Sequence, residues 1–477
     1  MTPPTLDARL ALAAAALLLV LCPTGRGQGD AGLDERPNIL VILTDQQHGG
    51  MLGSAGADDL RTPAMDALAR AGIRFENAFA TNPASVPSRV SMITGLLPGR
   101  LGFTDNNIGA AEVSEAVVDG SLGRLLRDAG YDSFFGGREQ LPAELKPRRS
   151  GFGGNFQDAR GMLAGTCARF ISTEREAPFF LVASFKDPND IRYAQGAQRG
   201  ETLHKKSKVL KLYQRGAARP DDALPELPGN FEIPQGEPDR LGEVMLPDNS
   251  IDPLEMRAQY DEREWRLYRW LYRRLTERVD KEIGDLLGAV RQAGVADDTL
   301  IIFLSDHGDM DGAHRLASSG TFYEESVRVP FVMRYDGVIP PKQVDREHLV
   351  SAGVDLFATI CDYAQIPLPE GREGRSLRAL AEAAAGADGD EHAWRDAVVS
   401  ENGAGRMLRT ERYKYCVYES GDVRESLVDL VEDPGEMHNL VDDPAHAATL
   451  EDMRARLAAW MAGTGDEQAA RFTLGGD

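Results

Sequence analysis

Three short, continuous apolar runs punctuate the chain: residues 38–44 (NILVILT), 179–185 (FFLVASF) and 299–304 (TLIIFL). An unbroken apolar run of this length predicts a strand buried on both faces, as in a parallel sheet. Residues 62–71 read as a helix with Pro63 in its first turn, and residues 122–129 as a second helix closed by Gly130. Strands alternating with helices predict a doubly wound, mostly parallel α/β sheet. From Tyr193 to about Pro253 the periodicity breaks down into a basic patch followed by Pro and acidic residues, a stretch long for a structureless loop and therefore expected to be functional or mobile. Residues 257–293 then form one long amphipathic helix in this reading, with Trp265, Leu267, Trp270, Leu271 and Leu275 on its apolar side. The Ala/Gly/Asp-rich stretch 379–389 reads as a linker. A smaller unit follows from about Ala397, with strand-like residues 412–418 and 426–430 and a final helix over about 447–461.

The 477 residues carry 53 Lys+Arg against 75 Asp+Glu, a formal charge of −22. That balance argues against nucleic acid as a partner and against a polybasic membrane-surface mode. The length predicts two or three domains. The apolar run 10–21, with Arg9 before it and Pro23 after it, has the pattern of a signal peptide ending between Pro23 and Asp30 and is short for a membrane span. An exported, periplasmic or extracellular protein is expected. Cys22 invites lipid attachment, but Leu21 is bulky where a lipoprotein box has a small residue. The expected organisation is a leader over 1–29, a main domain over 34–378 with the insertion 193–253, and a small α+β domain over 395–477. Cys167, Cys361 and Cys416 are far apart and odd in number, so they predict buried thiols rather than a disulfide or zinc framework.

Two pairs of residues stand just beyond predicted strand ends: Asp45-Gln46 after the first run and Asp306-His307 after the third. In open α/β sheets ligands bind beyond the carboxyl ends of strands. Two such ends can converge on a divalent cation, with Ca²⁺ favoured by oxygen ligands and Mg²⁺ or Mn²⁺ as alternatives; the plainer reading is that each Asp only caps a helix or turn. A third segment, SVPSRVSMITG from Ser85, places Ser85 at a helix N-terminus, where backbone N–H groups favour an anion. Arg89 lies one turn further on and can fork onto an oxyanion. A Ser beside a metal and an Arg is a nucleophile for sulfuryl or phosphoryl transfer, whereas an N-cap Ser with a surface Arg is the plainer alternative.

SVPSRVSMITG resembles the sulfatase signature, in which Cys or Ser precedes x-Pro-Ser-Arg and a later Thr-Gly. NILVILTDQQ and TLIIFLSDHGDM…TFYEESVRVPF are similar to the family's two metal strands, and LRTERYKYCVY and SLVDLVEDPGEMHNL to its closing sheet. The resemblance spans about residues 36–470 and implies an alkaline-phosphatase-like α/β fold with a small C-terminal domain. It also implies that Ser85 is oxidised to formylglycine by a maturation enzyme, that Arg89 holds the modified side chain, and that Asp45, Gln46, Asp306 and His307 bind the metal. The implied substrate is a sulfate ester of a sulfated small molecule or glycan.

Four polar positions depart from the family pattern. Arg138 and Gln140 stand where it has a catalytic Lys and His, Asn189 where it has a His after Pro188, and Ser319 where it has a Lys; His314 is kept. Asn189, His314 and Ser319 are therefore assigned to the substrate side. Arg138 can pair with an oxyanion but does not give up its proton, and Gln140 and Asn189 do no acid–base work near neutral pH. The resemblance leaves three readings: a sulfatase, a phosphate or phosphonate ester hydrolase, and a degenerate relative that binds sulfated glycans.

Overall fold

The computed structural model describes residues 36–109, 111–157, 161–194, 207–241, 253–383 and 394–473. The leader expected over 1–29, Cys22, most of the 379–389 linker and the lysines at 205 and 206 lie outside the described residues.

Eight strands form the main sheet in the order β5-β4-β6-β1-β7-β8-β2-β9. They are β1 (Asn38–Asp45), β2 (Ile73–Phe75), β4 (Asp132–Gly137), β5 (Gly154–Phe156), β6 (Phe179–Pro188), β7 (Thr299–Ser305), β8 (Phe331–Arg334) and β9 (Gln343–Asp345). Pairing is parallel from β5 through β7 and between β2 and β9, while β8 runs antiparallel to both its neighbours. A two-stranded ladder joins β3 (Ala78–Phe79) to β10 (Val350–Ser351).

The three apolar runs form the sheet centre because their alternate side chains enter two separate cores. Ile39, Val41 and Leu43 of β1 pack on one face with Val86 and Val90 of the helix Ser85–Thr94 and with Phe357 and Ile360 of the helix Ala352–Tyr363. Leu40 and Ile42 pack on the other with Val279, Ile283, Leu286 and Val290, and with the helices Pro63–Ala71 and Leu163–Ile171. Phe180 and Val182 of β6 follow the first set, and Phe179, Leu181 and Ala183 the second.

The long helix begins later than its periodicity predicts. It spans Glu262–Gln292, and a separate short helix occupies Pro253–Gln259. Asp261 breaks them: its side chain accepts from Glu264 N at 2.8 Å while Glu264 Oε2 accepts from Asp261 N at 2.9 Å. This reciprocal capping box, Asp-x-x-Glu, is readable in the sequence and outweighs the continuing apolar stripe. The expected apolar residues Trp265, Leu267, Trp270, Leu271 and Leu275 do share one core, together with Met51, Ile191 and Met256. The insertion is not structureless, since it carries a helix over Ser207–Ala217 and a 3₁₀ turn over Asp221–Ala223.

The C-terminal unit is an antiparallel meander of β11 (Ala397–Glu401), β12 (Gly405–Thr410), β13 (Tyr413–Tyr418) and β14 (Glu425–Asp429). One face, with Leu408, Tyr415 and Leu427, is covered by Leu450, Met453 and Leu457 of the helix Ala447–Thr464. The other, with Val398, Met407, Cys416 and Tyr418, packs on Phe79, Phe322, Val327 and Leu349 of the main body. Cys167, Cys361 and Cys416 are buried, as expected. Among the described residues no helix is long and apolar enough to cross a membrane.

Candidate active site

Strand order explains why residues far apart in sequence meet. The neighbouring parallel strands β4, β6, β1 and β7 end at Gly137, Pro188, Asp45 and Ser305, so Arg138, Asn189, Asp45-Gln46 and Asp306-His307 collect along one edge. The helix Ser85–Thr94 brings its first residue to the same edge.

Asp45, Asp306 and His307 are fully buried, and each offers a ligand atom within 4.8 Å of the others'. Arg89 sits between the carboxylates, with 2% of its surface exposed, so the surface-Arg alternative is excluded. Its Nε donates to Asp306 Oδ2 at 2.9 Å, its Nη2 to Asp45 Oδ2 at 3.0 Å, and its Nη1 to Ser184 Oγ at 2.7 Å and Arg138 O at 2.8 Å. Arg138 adds a second cation on Asp45 Oδ2, 2.9 Å from its Nε. Gly137 makes this approach possible: its φ is +99°, and a Cβ there would stand 1.9 Å from the carbonyl oxygen of Ser184.

Ser85 Oγ lies 2.9 Å from His307 Nε2. The other ring nitrogen, Nδ1, lies 2.9 Å from the carbonyl oxygen of Gly308, which can only accept. Nδ1 therefore carries the proton, Nε2 presents its lone pair, and the Ser85 hydroxyl donates to it. A backbone partner on Nδ1 is the usual way to fix an imidazole for ligation through Nε2.

The donor set fits a divalent cation. Asp45 Oδ1 is buried and has no hydrogen-bond partner, an orphan that costs free energy unless a cation or another donor reaches it. Burial pushes the Asp45 carboxyl above its ordinary range despite Arg138 and Arg89. Burial acts the same way on Asp306, but His307, Arg89 and the Gln46 N–H prevail and hold that carboxyl low. Two carboxylates with one imidazole suit a hard cation such as Ca²⁺, Mg²⁺ or Mn²⁺.

Gln46, grouped with the ligands from sequence, has its side chain engaged on both sides: Nε2 donates to Asp309 Oδ2 at 2.6 Å, and Oε1 accepts from Asn189 Nδ2. Its backbone is equally held, by Asp306 Oδ1 on N at 3.0 Å and by the Tyr272 hydroxyl on O at 2.6 Å, in a left-handed conformation with φ 70°. Strain of this kind persists where the surroundings over-determine it. Asn189 accepts from Arg138 Nη1 through Oδ1 at 2.6 Å, so the departures at Arg138 and Asn189 bond to each other. Gln140 also adopts a left-handed backbone (φ 44°), and its buried Oε1 has no hydrogen-bond partner.

The structure does not bring His314 to this cluster. Its ring stacks on Tyr323 with centroids 4.0 Å apart, its N donates to Asn230 O at 2.7 Å, and burial lowers its pKa to about 4. Ser319 is buried in the loop that follows, next to Ser318, whose carbonyl accepts from Met310 N at 2.9 Å.

Residues that the sequence reading did not single out complete the centre. Asp309 is fully buried, accepts from the Tyr268 hydroxyl at 2.9 Å and from Asp311 N at 2.8 Å, and is pushed up to about 7 by burial. Tyr268 and Tyr272, four apart on the long helix, face the same region. The available signals were the second Asp in SDHGDM and the lone Ser in FFLVASF.

The model of the sulfatase family matches residues 37–366. The chain belongs to the sulfatase family. A second model, that of the C-terminal part of N-sulphoglucosamine sulphohydrolase, matches residues 312–462 of this sulfatase. The sulfatase is 26% identical over 447 residues to the Delta 4,5-hexuronate-2-O-sulfatase of Bacteroides thetaiotaomicron, an alignment covering 90% of the chain and 89% of that protein. It superposes on the solved structure of a 2-O GAG sulfatase with a TM-score of 0.78 and 25% identity, over 93% of the chain and 95% of that one. The phosphonate monoester hydrolase of Agrobacterium radiobacter shares the fold, with a TM-score of 0.71 and 22% identity over 90% of the chain and 96% of that one.

Proposed function

We propose that this sulfatase is an exported enzyme that hydrolyses a sulfate ester of a sulfated carbohydrate at the β1–β7 edge. The observation carrying this reading is Ser85 hydrogen-bonded to His307 beside the buried Asp45–Arg89–Asp306 cluster. Membership of the family makes the chain a sulfuric ester hydrolase. The carbohydrate class is supported by the hexuronate and GAG sulfatases to which it is similar.

In this reading Asp45, Asp306 and His307 hold a divalent cation, Ca²⁺ in the first instance, and Gln46 borders it. Such a cation polarises the ester oxygens and offsets charge that develops on them. Ser85 is the site converted to formylglycine by a maturation enzyme, and this group supplies the nucleophilic hydroxyl. The protein's own contribution is to position and to hold charge. Arg89 orients both carboxylates, His307, with its Nδ1 proton held by Gly308 O, turns Nε2 toward the cation beside position 85, and Arg138 presents its guanidinium to the sulfate oxygens. Gln140 and Asn189 donate or accept hydrogen bonds without transferring protons, so an ester whose leaving group needs little protonation is the better substrate.

Mass analysis of the peptide containing residue 85, from protein matured in its native host, tests the modification: the peptide is lighter by two hydrogens than the encoded sequence. Sulfate rather than phosphate is released from matched chromogenic esters, and Ser85→Ala abolishes release. An unmodified Ser85, or turnover of the phosphate ester alone, contradicts the proposal. Metal content falls in Asp306→Ala relative to the unmutated protein.

A further inference from the structure

The turn between β11 and β12 holds its own shape. Asn402 N donates to Gly405 O at 3.1 Å, and Asn402 Oδ1 accepts from Ala404 N at 3.0 Å, two residues on. Arg406 is fully buried and donates through Nη1 to Asn402 O at 2.9 Å and to Gly405 O at 2.8 Å. Its Nε reaches Asp466 Oδ2 at 2.7 Å, just past the helix Ala447–Thr464. A Cβ at Gly405 would stand 2.8 Å from the Phe322 ring, so the turn lies flush on the main body.

Two adjacent residues of this turn grip the two segments that meet at Ser85 and His307. Glu401 N donates to Thr81 O at 3.0 Å, four residues before Ser85. The Glu401 carboxylate accepts from Gly99 N, beyond the other end of the helix Ser85–Thr94. Asn402 Nδ2 donates to Gly320 O at 2.9 Å. Gly320 N donates in turn to Ser326 Oγ at 3.2 Å, and Ser326 O accepts from Gly308 N at 2.8 Å. The carbonyl of Gly308 is the one that fixes the His307 ring through Nδ1. Ser318, in the same loop as Gly320, has a left-handed backbone (φ 69°), which persists where its surroundings hold it.

The Asn402 amide cannot exchange its ends. Ala404 N only donates and Gly320 O only accepts, so Oδ1 faces the turn and the NH₂ group faces the main body. Because Glu401 and Asn402 are consecutive, a shift of the Ser85 segment against the Gly320 segment must break one of their bonds. We propose that Asn402 is a positioning residue for the reaction, which registers the His307 segment against the Ser85 helix from the C-terminal sheet. The inference rests on the sulfate-ester reading above and adds the small C-terminal unit to what sets the geometry of the centre.

Two variants remove the bond in different ways. Asn402→Asp keeps the shape and the acceptor for Ala404 N but sets a carboxylate oxygen against Gly320 O. Asn402→Ser keeps a neutral acceptor in the turn and is too short to reach Gly320. On purified, matured enzyme with a chromogenic sulfate ester, both lower kcat by about tenfold or more, the scale of a buried hydrogen bond left unmade. KM stays within about twofold, because the bond orients the centre and does not touch the ester. Hydrogen–deuterium exchange read by mass spectrometry, with no substrate present, rises in both variants over residues 305–328 and not over β13 and β14. Unchanged kcat, or a raised KM with kcat kept, overturns the proposal. Exchange that rises across the whole C-terminal sheet also overturns it, because the bond would then hold the sheet and not the centre. If the unmutated protein releases no sulfate, the hydrolase reading falls, and exchange over residues 305–328 still decides whether Asn402 holds the His307 segment: no change there overturns that hold.

Discussion

The Asp309 carboxylate accepts from Gln46 Nε2, the Tyr268 hydroxyl and Asp311 N, and as an acceptor it can face the Gln46 amide only through its NH₂ end. Gln46 Oε1 is thereby turned towards Asn189, which in turn meets Arg138. Asp309 is a positioning residue for this chain of side chains. Asp309→Asn sets an NH₂ group against one of three donors, so the Gln46 amide loses its fixed orientation. The expected result is a fall in kcat/KM of about tenfold or more, with weaker metal retention on dialysis and the melting temperature nearly kept. Tyr268→Phe removes a single donor and costs less. Intact metal affinity together with unchanged kinetics in Asp309→Asn contradicts this role. The pairs Asp45-Gln46 and Asp306-His307 and the residues Ser85 and Arg89 were legible because each stands at a strand end or in a long motif. Asp309, Tyr268 and Ser184 were not, because hydrogen-bond partners more than 40 residues apart leave no local pattern.

At the scale of elements, Asp280 ties the long helix to the helix Pro63–Ala71. Its carboxylate accepts from Ala64 N at 3.1 Å and Met65 N at 2.9 Å, an N-terminal cap supplied from a distant segment. Burial raises this carboxyl to about 6 from 3.8, against the help of both N–H groups. A folded-state pKa raised above the unfolded value means that the native protein binds the proton more tightly. The stability this provides is full below about pH 4 and is lost as pH rises through about 6. Asp280→Asn keeps an acceptor and discards the titration, so relative to the unmutated protein it gains stability between pH 4 and pH 7 in urea unfolding. Asp280→Ala removes the cap and costs about 1 kcal/mol at low pH. A pH-independent difference between Asp280→Asn and the unmutated protein contradicts the assignment. The central strands were legible as continuous apolar runs because both faces are covered. The true start of the long helix was masked by an apolar stripe that continues through the Asp261 cap, and β12 went unread because its buried Arg406 and Arg409 interrupt the strand pattern.

Across the whole molecule, a formal charge of −22 coexists with a centre held by Arg89 and Arg138. The excess of carboxylates therefore says little about the ligand, because attraction acts within a Debye length of about 10 Å at 0.1 M salt. The same concentration of charge joins the C-terminal sheet to the catalytic body. Lys414 of β13 is buried, 2.5 Å from Glu436 Oε1 and 3.2 Å from Glu324 Oε1, and donates to Phe322 O at 2.9 Å. Glu324 and Phe322 lie in the TFYEESVRVPF segment, so the segment that resembles part of the second metal motif is also the seat of the sheet. Lys414 with Arg409 holds Glu324 down to about 2 against its burial, while burial leaves Glu436 raised to about 7. Lys414→Met strands two buried carboxylates, and removing one partner of a buried ion pair costs about 3–5 kcal/mol. The loss is expected to be largest above about pH 7, where both carboxylates are ionised, and to shrink as pH falls through that value and Glu436 takes a proton. Lys414→Met with Glu436→Gln recovers part of the stability, because the remaining carboxylate, Glu324, keeps Arg409 within 3.6 Å. Urea unfolding of the single and double variants at pH 6 and pH 8 checks this. Equal destabilisation at both pH values, or no recovery in the double variant, would show that the sheet is held by the apolar contacts of Phe79, Phe322 and Val327 without help from the buried charges.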